Sequence, residues 1–589
     1  MKMKLSDYVA KFIAGCGVET VFAISGGASL HLIHSVEGHP DLQLVCPHHE
    51  QAAAMAADGY ARVKSGFGVA IATSGPGATN LITGICCSFY DSVPVLLITG
   101  QVSTFRSVGN TNVRQVGFQE TPIVEIVRPI TKYAVTLVDA DQIRYELEKA
   151  LVHMRSGRPG PVLVDIPDNL QREIIDVERL IGYVPEHAEM THHASTAVVK
   201  NDILKALASA QRPVIIAGWG IHLAQMESDF LSFVETLNIP VALTWGAADL
   251  LPNAHRLNLG RFGTHGMRST NFAVQNADLI LSLGSRLDTK STGTPVNSFA
   301  RAARKIVVDI DPYELDKFNA FGLDINLLIQ DDLRNFFPVF DQEDLRLTFM
   351  DRSAWFSCIQ GWRDMADIFD ADRGYCGEAV NPYSFFKRLS ELALENTNVM
   401  VDTGCSIAWS MQAWNFQETQ RLFHDFNNTA MGWSVPASVG AYFAAPKKPL
   451  VCVIGDGSFM MTLQELATVK HHAIPLKIIL INNGGYSMIR QTQDQWLDAR
   501  YIASSSEGGL SFPDFSAIAK AFGFSYVSID LQEHIDSGLK TALSTSGPVL
   551  CNVRVPESAR VVPQVKFGRP NEDMEPLLPR DLFSSSMLI

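Results

Sequence analysis

Two oxygen-bearing side chains stand out first in the sequence, because their types and spacing suit a metal ion and a diphosphate. Asp456 lies in a Gly-Asp-Gly turn, and Asn483 closes an Asn-Asn pair 27 residues later. Magnesium prefers a few protein oxygens together with phosphate oxygens of its ligand. Gly-Asp-Gly alone is also ordinary turn chemistry. The pairing with Asn-Asn favours a magnesium diphosphate site.

The elements around this pair explain how the two side chains would meet. The apolar runs Leu450–Ile454 and Pro475–Ile481 predict two buried strands, and Phe459–His472 has helical periodicity. A strand, a helix and a parallel strand bring both carboxyl ends to one edge of a sheet. We therefore expect Asp456 and Asn483 to converge. Gly455 and Gly457 would leave room for a diphosphate at the helix N-terminus.

A candidate catalytic carboxylate lies near the start of the chain. Glu50 follows a strand and Pro47, in the first turn of an Ala-rich helix. A glutamate at that position can simply complement the helix dipole. Met431, in an Ala-Met-Gly turn, can likewise be an ordinary core methionine.

Composition limits the class of protein. The chain has 589 residues and a net charge of −14 without a basic block, which argues against nucleic-acid or anionic-membrane partners. Nine cysteines show no CxxC pair, and no apolar run reaches membrane-spanning length, so we expect a reduced, cytoplasmic protein.

Strand-like runs alternate with helical patterns along the chain, which predicts an α/β fold with three doubly wound parallel-sheet domains. Two polar segments, Glu186–His193 and Phe340–Asp372, are predicted linkers. The predicted domains cover residues 1–185, 195–340 and 375–555, followed by a C-terminal tail, 556–589.

Several spaced motifs together resemble the acetohydroxyacid (acetolactate) synthase group of thiamine diphosphate enzymes. They are His49-Glu50-Gln51 with Gly59–Arg62, Thr73–Gly77, Ser156–Pro167, and the pair of motifs around Asp456 and Asn483. The resemblance covers almost the whole chain. It implies that the first domain binds the pyrimidine of thiamine diphosphate and the third binds its diphosphate and Mg²⁺. It also implies an active homodimer, or a homotetramer, because the two halves of each site come from different subunits.

The resemblance assigns roles to the residues singled out above. Asp456, Asn483 and the carbonyl of Gly485 would bind Mg²⁺, and Gly455, Gly457 and Ser458 would line the diphosphate. Glu50 would bond a pyrimidine ring nitrogen and promote deprotonation of the thiazolium C2, and Met431 would bend the cofactor. Phe118 and Gln119 would lie beside the reacting groups.

A second cofactor, FAD, is implied for the middle domain. Its contacts would be Arg158, Gly218, Gly220, Thr244, His265, Gly284, Arg286, Asp309 and Asp311. Glycines let backbone approach a dinucleotide, and arginines meet phosphate charge. In the synthases the flavin is not consumed, so we expect a structural role. An empty or ADP-holding domain, as in related decarboxylases, is the alternative.

The acceptor side of the pocket departs from the family pattern. Thr492 stands where the synthases have tryptophan, Lys290 replaces an arginine and Asp168 a lysine. The loop Gln101–Gly117 is longer than the family's. Thr492, Lys290 and Met488 would form an acceptor pocket with a wider mouth and weaker demand for a carboxylate.

These departures are similar to those of synthase-like, branched-sugar (yersiniose-type) flavoenzymes that pass an acetyl unit to a nucleotide-linked keto-sugar. The predicted function is therefore a carboligase that decarboxylates pyruvate and transfers a two-carbon unit to a bulky acceptor ketone. The alternatives are acetolactate synthesis from two pyruvates, a pyruvate oxidase, and a simple 2-keto acid decarboxylase.

Overall fold

The computed structural model describes residues 1–185, 193–370 and 377–589. They form three six-stranded parallel sheets with helices on both faces, which confirms the predicted α/β class. Most of the first predicted linker, 186–192, lies outside the described residues, as do 371–372 of the second. Among the described residues, no helix combines the length and apolarity needed to cross a membrane.

The first unit holds eight strands, of which β2 to β7 form its main sheet and β1 pairs with β8. The strands are β1 (Lys2–Lys4), β2 (Thr20–Ala23), β3 (Gln43–Val45), β4 (Gly68–Ala72), β5 (Val95–Gln101), β6 (Tyr133–Thr136), β7 (Val162–Pro167) and β8 (Ile174–Asp176). The helices are α1 (Leu5–Gly15), α2 (Leu30–Glu37), α3 (Glu50–Lys64), α4 (Pro76–Asn80), α5 (Ile82–Tyr90), α6 (Ile123–Val127), α7 (Ile143–Arg155) and α8 (Asp168–Gln171).

The middle unit has a sheet of six strands. They are β9 (Pro213–Ala217), β10 (Val241–Leu243), β11 (Asn258–Arg261), β12 (Leu279–Leu283), β13 (Arg304–Asp309) and β14 (Leu327–Gln330). The helices are α9 (Thr196–Ser209), α10 (Gly220–Ala224), α11 (Glu227–Leu237), α12 (Arg268–Gln275), α13 (Thr289–Thr292), α14 (Pro312–Phe321), α15 (Leu333–Phe336), α16 (Gln342–Leu347) and α17 (Ser353–Phe369).

The third unit has the third six-stranded sheet, and the tail adds a small antiparallel pair and a helix. The strands are β15 (Asn398–Val401), β16 (Arg421–Phe423), β17 (Leu450–Gly455), β18 (Lys477–Asn482), β19 (Ser525–Ile529), β20 (Val549–Arg554), β21 (Gln564–Val565) and β22 (Met574–Glu575). The helices are α18 (Pro382–Leu392), α19 (Cys405–Ala413), α20 (Ser434–Ala444), α21 (Asp456–Phe459), α22 (Leu466–His471), α23 (Ser487–Trp496), α24 (Phe515–Phe522), α25 (Ile535–Ser544) and α26 (Arg580–Ser586).

Strand order separates the middle unit from the other two. The first sheet runs β3-β2-β4-β5-β7-β6 and the third β16-β15-β17-β18-β20-β19, and both have the order 2-1-3-4-6-5 when the strands of each sheet are counted from one. The middle sheet runs β11-β10-β9-β12-β13-β14, the order 3-2-1-4-5-6 of dinucleotide-binding sheets. In such a sheet ligands bind where the order reverses, here between β9 and β12.

Part of the charge-rich segment predicted as the second linker is helical. It contains α16 and α17, and Trp355, Ile359 and Trp362 of α17 are buried against the middle unit. These apolar residues recur every three or four positions, so one face of α17 packs on the core. The high content of Asp and Arg obscured that pattern.

Helices α3 and α20 join the first and third units. An added Cβ at Gly59 would lie 2.3 Å from the carbonyl oxygen of Ala437, and one at Gly440 would lie 1.8 Å from that of Ala56. Because Gly59 meets Ala437 while Ala56 meets Gly440, the helices run antiparallel with their backbones in contact. Glu50, nine residues before Gly59, therefore lies about 13 Å further along the axis of α3. Met431, before the start of α20, lies toward the opposite end of the helix pair.

Candidate active site

Three polar residues follow neighbouring strands at the carboxyl edge of the third sheet. Asp402 follows β15, Asp456 follows β17 and Asn483 follows β18, and these strands are adjacent. All three side chains are buried. The predicted convergence of Asp456 and Asn483 is present, because the backbone N–H of Asn483 donates to Asp456 Oδ2 at 3.1 Å.

The Asp456 carboxylate is surrounded by N–H donors. Gly457 N donates to Oδ1 at 2.7 Å, and Gly485 N donates to Oδ2 at 3.1 Å. Burial raises the pKa of Asp456 to about 6, although these backbone hydrogen bonds oppose the rise. A divalent cation beside the carboxylate would favour its ionised form.

The amide oxygen of Asn483 is the clearest sign that this edge of the sheet can bind a ligand. Oδ1 is buried and has no hydrogen-bond partner among the described residues. A buried polar atom without a partner is expensive unless a ligand or ion satisfies it. One carboxylate, one amide oxygen and a carbonyl of the 483–485 turn are the hard oxygen donors that Mg²⁺ takes. The residues present therefore fit the cation that the sequence predicted.

Arg490, on α23, supports the turn and was not singled out from the sequence. Its buried guanidinium donates to the carbonyl oxygens of Gly484 at 2.6 Å and Ser504 at 2.9 Å. Gly485 has a φ of 151°, and a Cβ there would lie 2.3 Å from Arg490 Nη2. A Cβ at Gly457 would lie 2.0 Å from the Tyr486 ring. Both glycines are required by these close approaches.

Asp402 fixes the turn that carries Met431. Its two carboxylate oxygens accept from Gly432 N at 3.0 Å and Ser434 N at 2.8 Å. Gly432 has a φ of 85°, and its carbonyl accepts from Thr462 Oγ1 at 2.9 Å. The turn that follows the half-buried Met431 is thus held by Asp402 on one side and, on the other, by Thr462, which lies six residues after Asp456.

The start of α19 offers a surface for the diphosphate. Gly404, at its N-cap, has a φ of 87°, and a Cβ there would meet no atom within 4 Å. Ser406 Oγ lies 3.9 Å from the Cβ position of Gly455. Ser458 is buried nearby and opposes the rise that burial causes in the pKa of Asp402. Free N–H groups at a helix N-terminus favour phosphate oxygens.

Glu50 is the first residue of α3, as the sequence predicted for its helix start. His49 caps the helix, since its Nδ1 accepts from Gln51 N at 3.1 Å. Asn80 Nδ2 donates to Glu50 Oε2 at 2.9 Å, and Oε1 lies 3.4 Å from the Cβ position of Gly77. The half-buried carboxylate is therefore oriented by one side chain while its second oxygen faces the Thr73–Gly77 turn.

A cavity of about 490 Å³ opens at the switch point of the middle sheet. Its lining includes Arg158, Gly220, Thr244, His265, Gly284, Arg286 and Asp309 among the residues predicted to hold a flavin. Gly218 lies behind the wall, where a Cβ would come within 2.2 Å of the Gly284 carbonyl oxygen. Burial raises the pKa of Asp309 to about 6. Position, size and a wall of backbone and arginines fit a dinucleotide.

Glu314, another residue that sequence reasoning missed, holds both predicted phosphate-binding arginines. Its Oε1 accepts from Arg158 Nη1 at 2.7 Å and from Arg286 Nε at 2.8 Å, and Lys317 pairs with Oε2. Asp311 contacts Arg158 at 3.3 Å and caps α14. Burial opposes ionisation of Glu314, but Arg286 and the other cations hold its pKa at about 2.

The residues predicted for the acceptor side lie in different surroundings. Thr492 is exposed on α23 and donates to the Met488 carbonyl at 3.2 Å, while Met488 packs against the third core. Lys290 lines the middle cavity, 5.4 Å from the Trp245 ring centre, and burial lowers its pKa. Burial, with Lys290 nearby, also lowers the pKa of His265 to about 4.

The long loop before Phe118 is organised by Glu120, whose carboxylate accepts from the backbone N–H groups of Val108, Val116 and Gly117. Phe118 is 86% exposed. Gln119 has a φ of 63° and packs against Gly75. Asp168 accepts from Ser103 Oγ, at the base of the same loop.

Known protein families match this architecture unit by unit. Residues 3–125, 201–336 and 402–553 match the N-terminal, central and C-terminal domains of thiamine pyrophosphate enzymes, respectively. Three six-stranded sheets and a paired Asp–Asn site thus define a three-domain enzyme that uses thiamine pyrophosphate, which is thiamine diphosphate.

Individual relatives narrow the class. The large subunit of acetolactate synthase isozyme 2 from Escherichia coli is 34% identical over 97% of this chain and 99% of its own length. Chloroplastic acetolactate synthases from Nicotiana tabacum and Arabidopsis thaliana are 32% and 33% identical, over 97% and 96% of this chain and 84% and 83% of theirs. The chain belongs to the acetolactate synthase-like family of thiamine pyrophosphate-dependent carboligases.

Proposed function

We propose that the protein is a Mg²⁺- and thiamine diphosphate-dependent carboligase that decarboxylates pyruvate and joins the two-carbon unit to a ketone. The observation that carries this proposal is the buried Oδ1 of Asn483 beside Asp456, which accepts no hydrogen bond from any residue that the structure describes. The names of the relatives support a second pyruvate as the acceptor, with acetolactate as the product.

The chain's own residues divide the work. Asp456, Asn483 and Gly485 hold the cation, and the start of α19 holds the diphosphate. When bound, thiamine diphosphate supplies the carbon nucleophile and the electron sink. Glu50 holds a proton at a pyrimidine ring nitrogen, and Asn80 fixes the direction of its carboxylate. Met431, beside the turn held by Asp402, would contact the cofactor and help to orient it.

The active unit is a homodimer, or a tetramer built from such dimers. Within one chain, the antiparallel α3 and α20 carry Glu50 and Met431 toward opposite ends of their contact. One copy therefore supplies Glu50 to a site and a second copy supplies Met431 and Asp456. Co-refolded Glu50→Gln and Asp456→Ala subunits should regain about a quarter of parental activity, because random pairing leaves one intact site in half of the dimers. Separate variants should stay inactive, and no recovery on mixing would contradict shared sites.

FAD occupies the middle cavity and is not consumed. The purified protein should be yellow, release FAD on denaturation and turn over without an electron acceptor. A colourless, active preparation that takes up no flavin would contradict this assignment. Bleaching of the flavin by pyruvate would instead indicate an oxidase.

A bulky ketone, such as a nucleotide-linked keto-sugar, is the second candidate acceptor. The observation in its favour is the exposure of Thr492 and Phe118, together with an Asp168 that bonds Ser103 at a position where the family has a cation. A small carboxylate acceptor would have fewer cationic groups to bind.

Product mass spectrometry decides between the two acceptors. Parent protein receives pyruvate alone, then pyruvate with a panel of ketones that includes a keto-sugar nucleotide. Acetolactate from pyruvate alone supports the first candidate, whereas efficient transfer only to bulky ketones supports the second. In the second case Thr492→Trp should reduce bulky transfer at least tenfold, since a clashing ring costs several kcal/mol. Thr541→Trp, at another exposed helical threonine, is the matched control. Free acetaldehyde as the sole product would indicate a decarboxylase.

A further inference from the structure

Glu465 contacts the backbone just before Glu50, although the two residues are far apart in sequence. It is 1% exposed, at the end of a short turn before α22. Its Oε1 and Oε2 lie 3.0 and 3.2 Å from the backbone nitrogen of His48, which donates to both. Thr468 Oγ1 also donates to Oε2, at 2.8 Å.

The carboxylate is buried without a compensating ion pair. In the part of the chain that the structure describes, no lysine, arginine or histidine lies within ion-pair distance of Glu465. Burial raises the pKa of Glu465, and the hydrogen bonds from Thr468 and His48, together with the charges of the His48 and His49 rings, oppose the rise. Burying a carboxyl group costs more free energy than two hydrogen bonds, from one N–H and one hydroxyl, usually return. The contact of Glu465 with the backbone just before α3 indicates a role for it there.

The contact fixes the entry into the catalytic helix. His48 precedes His49, the N-cap of α3, and Glu50 follows directly. Other described bonds at this helix start, including those from Gln51 N to His49 and from Asn80 to Glu50, lie within the first unit. Glu465 alone among these bonds ties the helix start to the third unit. It does so nine residues after Asp456, on the segment whose Thr462 holds the Met431 turn.

We propose that Glu465 is a positioning residue for Glu50, holding the first turn of α3 against the third unit through the His48 N–H. This inference rests on the proposed function, because only that function gives Glu50 a catalytic role toward bound thiamine diphosphate. A glutamine at position 465 keeps a carbonyl oxygen that can accept from the His48 N–H, and Thr468 Oγ1 can turn to accept from the glutamine amide. The proposed positioning role therefore requires a hydrogen-bond acceptor at this position and does not require its negative charge. Small displacements of a catalytic group lower rates by orders of magnitude.

The experiment measures the C2–H exchange rate of bound thiamine diphosphate by NMR at saturating cofactor. Calorimetry gives the cofactor affinity of each variant, and its thermal midpoint shows whether it is folded. Glu465→Ala should slow exchange about tenfold to a hundredfold while the cofactor Kd changes less than about threefold. Glu465→Gln should stay within about threefold of the parent. Glu465→Asp keeps the charge, but its shorter side chain moves the carboxylate away from the His48 N–H, so we expect C2–H exchange to slow several-fold. This variant replaces Glu465→Ala in the test if the alanine variant does not fold.

Thr468→Val is the matched control, because it removes the other bond to Glu465 and leaves the His48 contact. Its exchange rate should match the parent's. Parental exchange in both Glu465→Ala and Glu465→Asp would overturn the proposal, as would Glu465→Gln slowing as much as Glu465→Ala. A parent that binds no thiamine diphosphate would overturn the proposed function itself, which distinguishes the two failures.

Discussion

The carboxyl edge of the third sheet and the cavity of the middle sheet are both suited to diphosphate-bearing molecules, but they are built differently. At the third sheet, Asp456 is surrounded by neutral N–H groups and Asn483 Oδ1 has no described partner. In the middle cavity, Arg158 and Arg286 already share the carboxylate of Glu314. The first site therefore has an amide oxygen and a carboxylate without a described cationic partner, whereas the charged side chains of the second site already pair with one another.

This difference concerns what a ligand must contribute. Within the described residues no cationic side chain pairs with the buried Asp456 carboxylate, so a cation bound there would offset its charge directly and the site depends on it strongly. In the middle cavity the arginines are held in place before any ligand arrives, so the ordering entropy is already spent. We therefore expect loss of the Asp456 carboxylate to abolish cofactor binding at the first site, and loss of one arginine to weaken flavin binding only in part at the second.

The largest effect should come from Asp456→Ala. Loss of the one ionisable ligand should remove Mg²⁺-dependent binding of thiamine diphosphate, by at least about a hundredfold in Kd. Asn483→Ala should weaken binding less, and Asn482→Ala, at the neighbouring asparagine, should leave it near parental. Calorimetric titration with cofactor and Mg²⁺ measures all three. Undiminished cofactor affinity in Asp456→Ala would show that the Gly-Asp-Gly segment is an ordinary turn and that Asp456 does not bind Mg²⁺.

A smaller effect is expected from Arg158→Ala. Removing one of two preset arginines should lower flavin affinity about tenfold and leave thiamine diphosphate binding unchanged. Arg155→Ala is the control, because Arg155 lines the same cavity but packs over the Phe67 ring. Flavin fluorescence on titration of the stripped protein gives both affinities. Complete loss of flavin in Arg158→Ala would mean that the two sites are equally fragile, which contradicts the comparison.

The smallest effect should appear as a pH dependence of stability at the cavity rim. His222 is buried between Glu227 at 2.8 Å and Asp249 at 3.0 Å, with Arg421 of the third unit 3.2 Å from its Nδ1. Burial and Arg421 lower the pKa of His222, but the two carboxylates outweigh them and the net shift is upward. Its contribution to stability is thus full below the unfolded pKa of about 6.5 and is lost as pH rises through the higher folded value.

The difference in thermal midpoint between parent and His222→Gln, followed from pH 5.5 to 9, isolates this histidine. We expect the parent's advantage to shrink as pH rises, by a few degrees at most. A constant difference across that range would show that His222 does not change its charge there.

The sequence could predict most of the fold and the meeting of Asp456 and Asn483 at the candidate site. Parallel strands bring their carboxyl ends together, so Asp456 and Asn483 follow from two apolar runs and two turns. The start of α3 at Glu50 followed from the Ala-rich pattern. In contrast, Arg490, Asp402, Glu314 and Glu465 could not be found in this way. Their partners are backbone carbonyls, N–H groups or arginines that only the packed structure brings near, such as His48, 417 residues from Glu465.

The contact between α3 and α20 limits how the protein can change over evolution. Gly59 and Gly440 bring peptide groups of two units together with no side chain between them. Most interfaces can adjust, because a larger residue on one side is matched by a smaller one on the other. Here no side chain is available for such an exchange, and even one methyl group would push the helices apart. The first and third units must therefore keep their relative position while their outer surfaces diversify, which leaves new substrate preferences to arise in the loops.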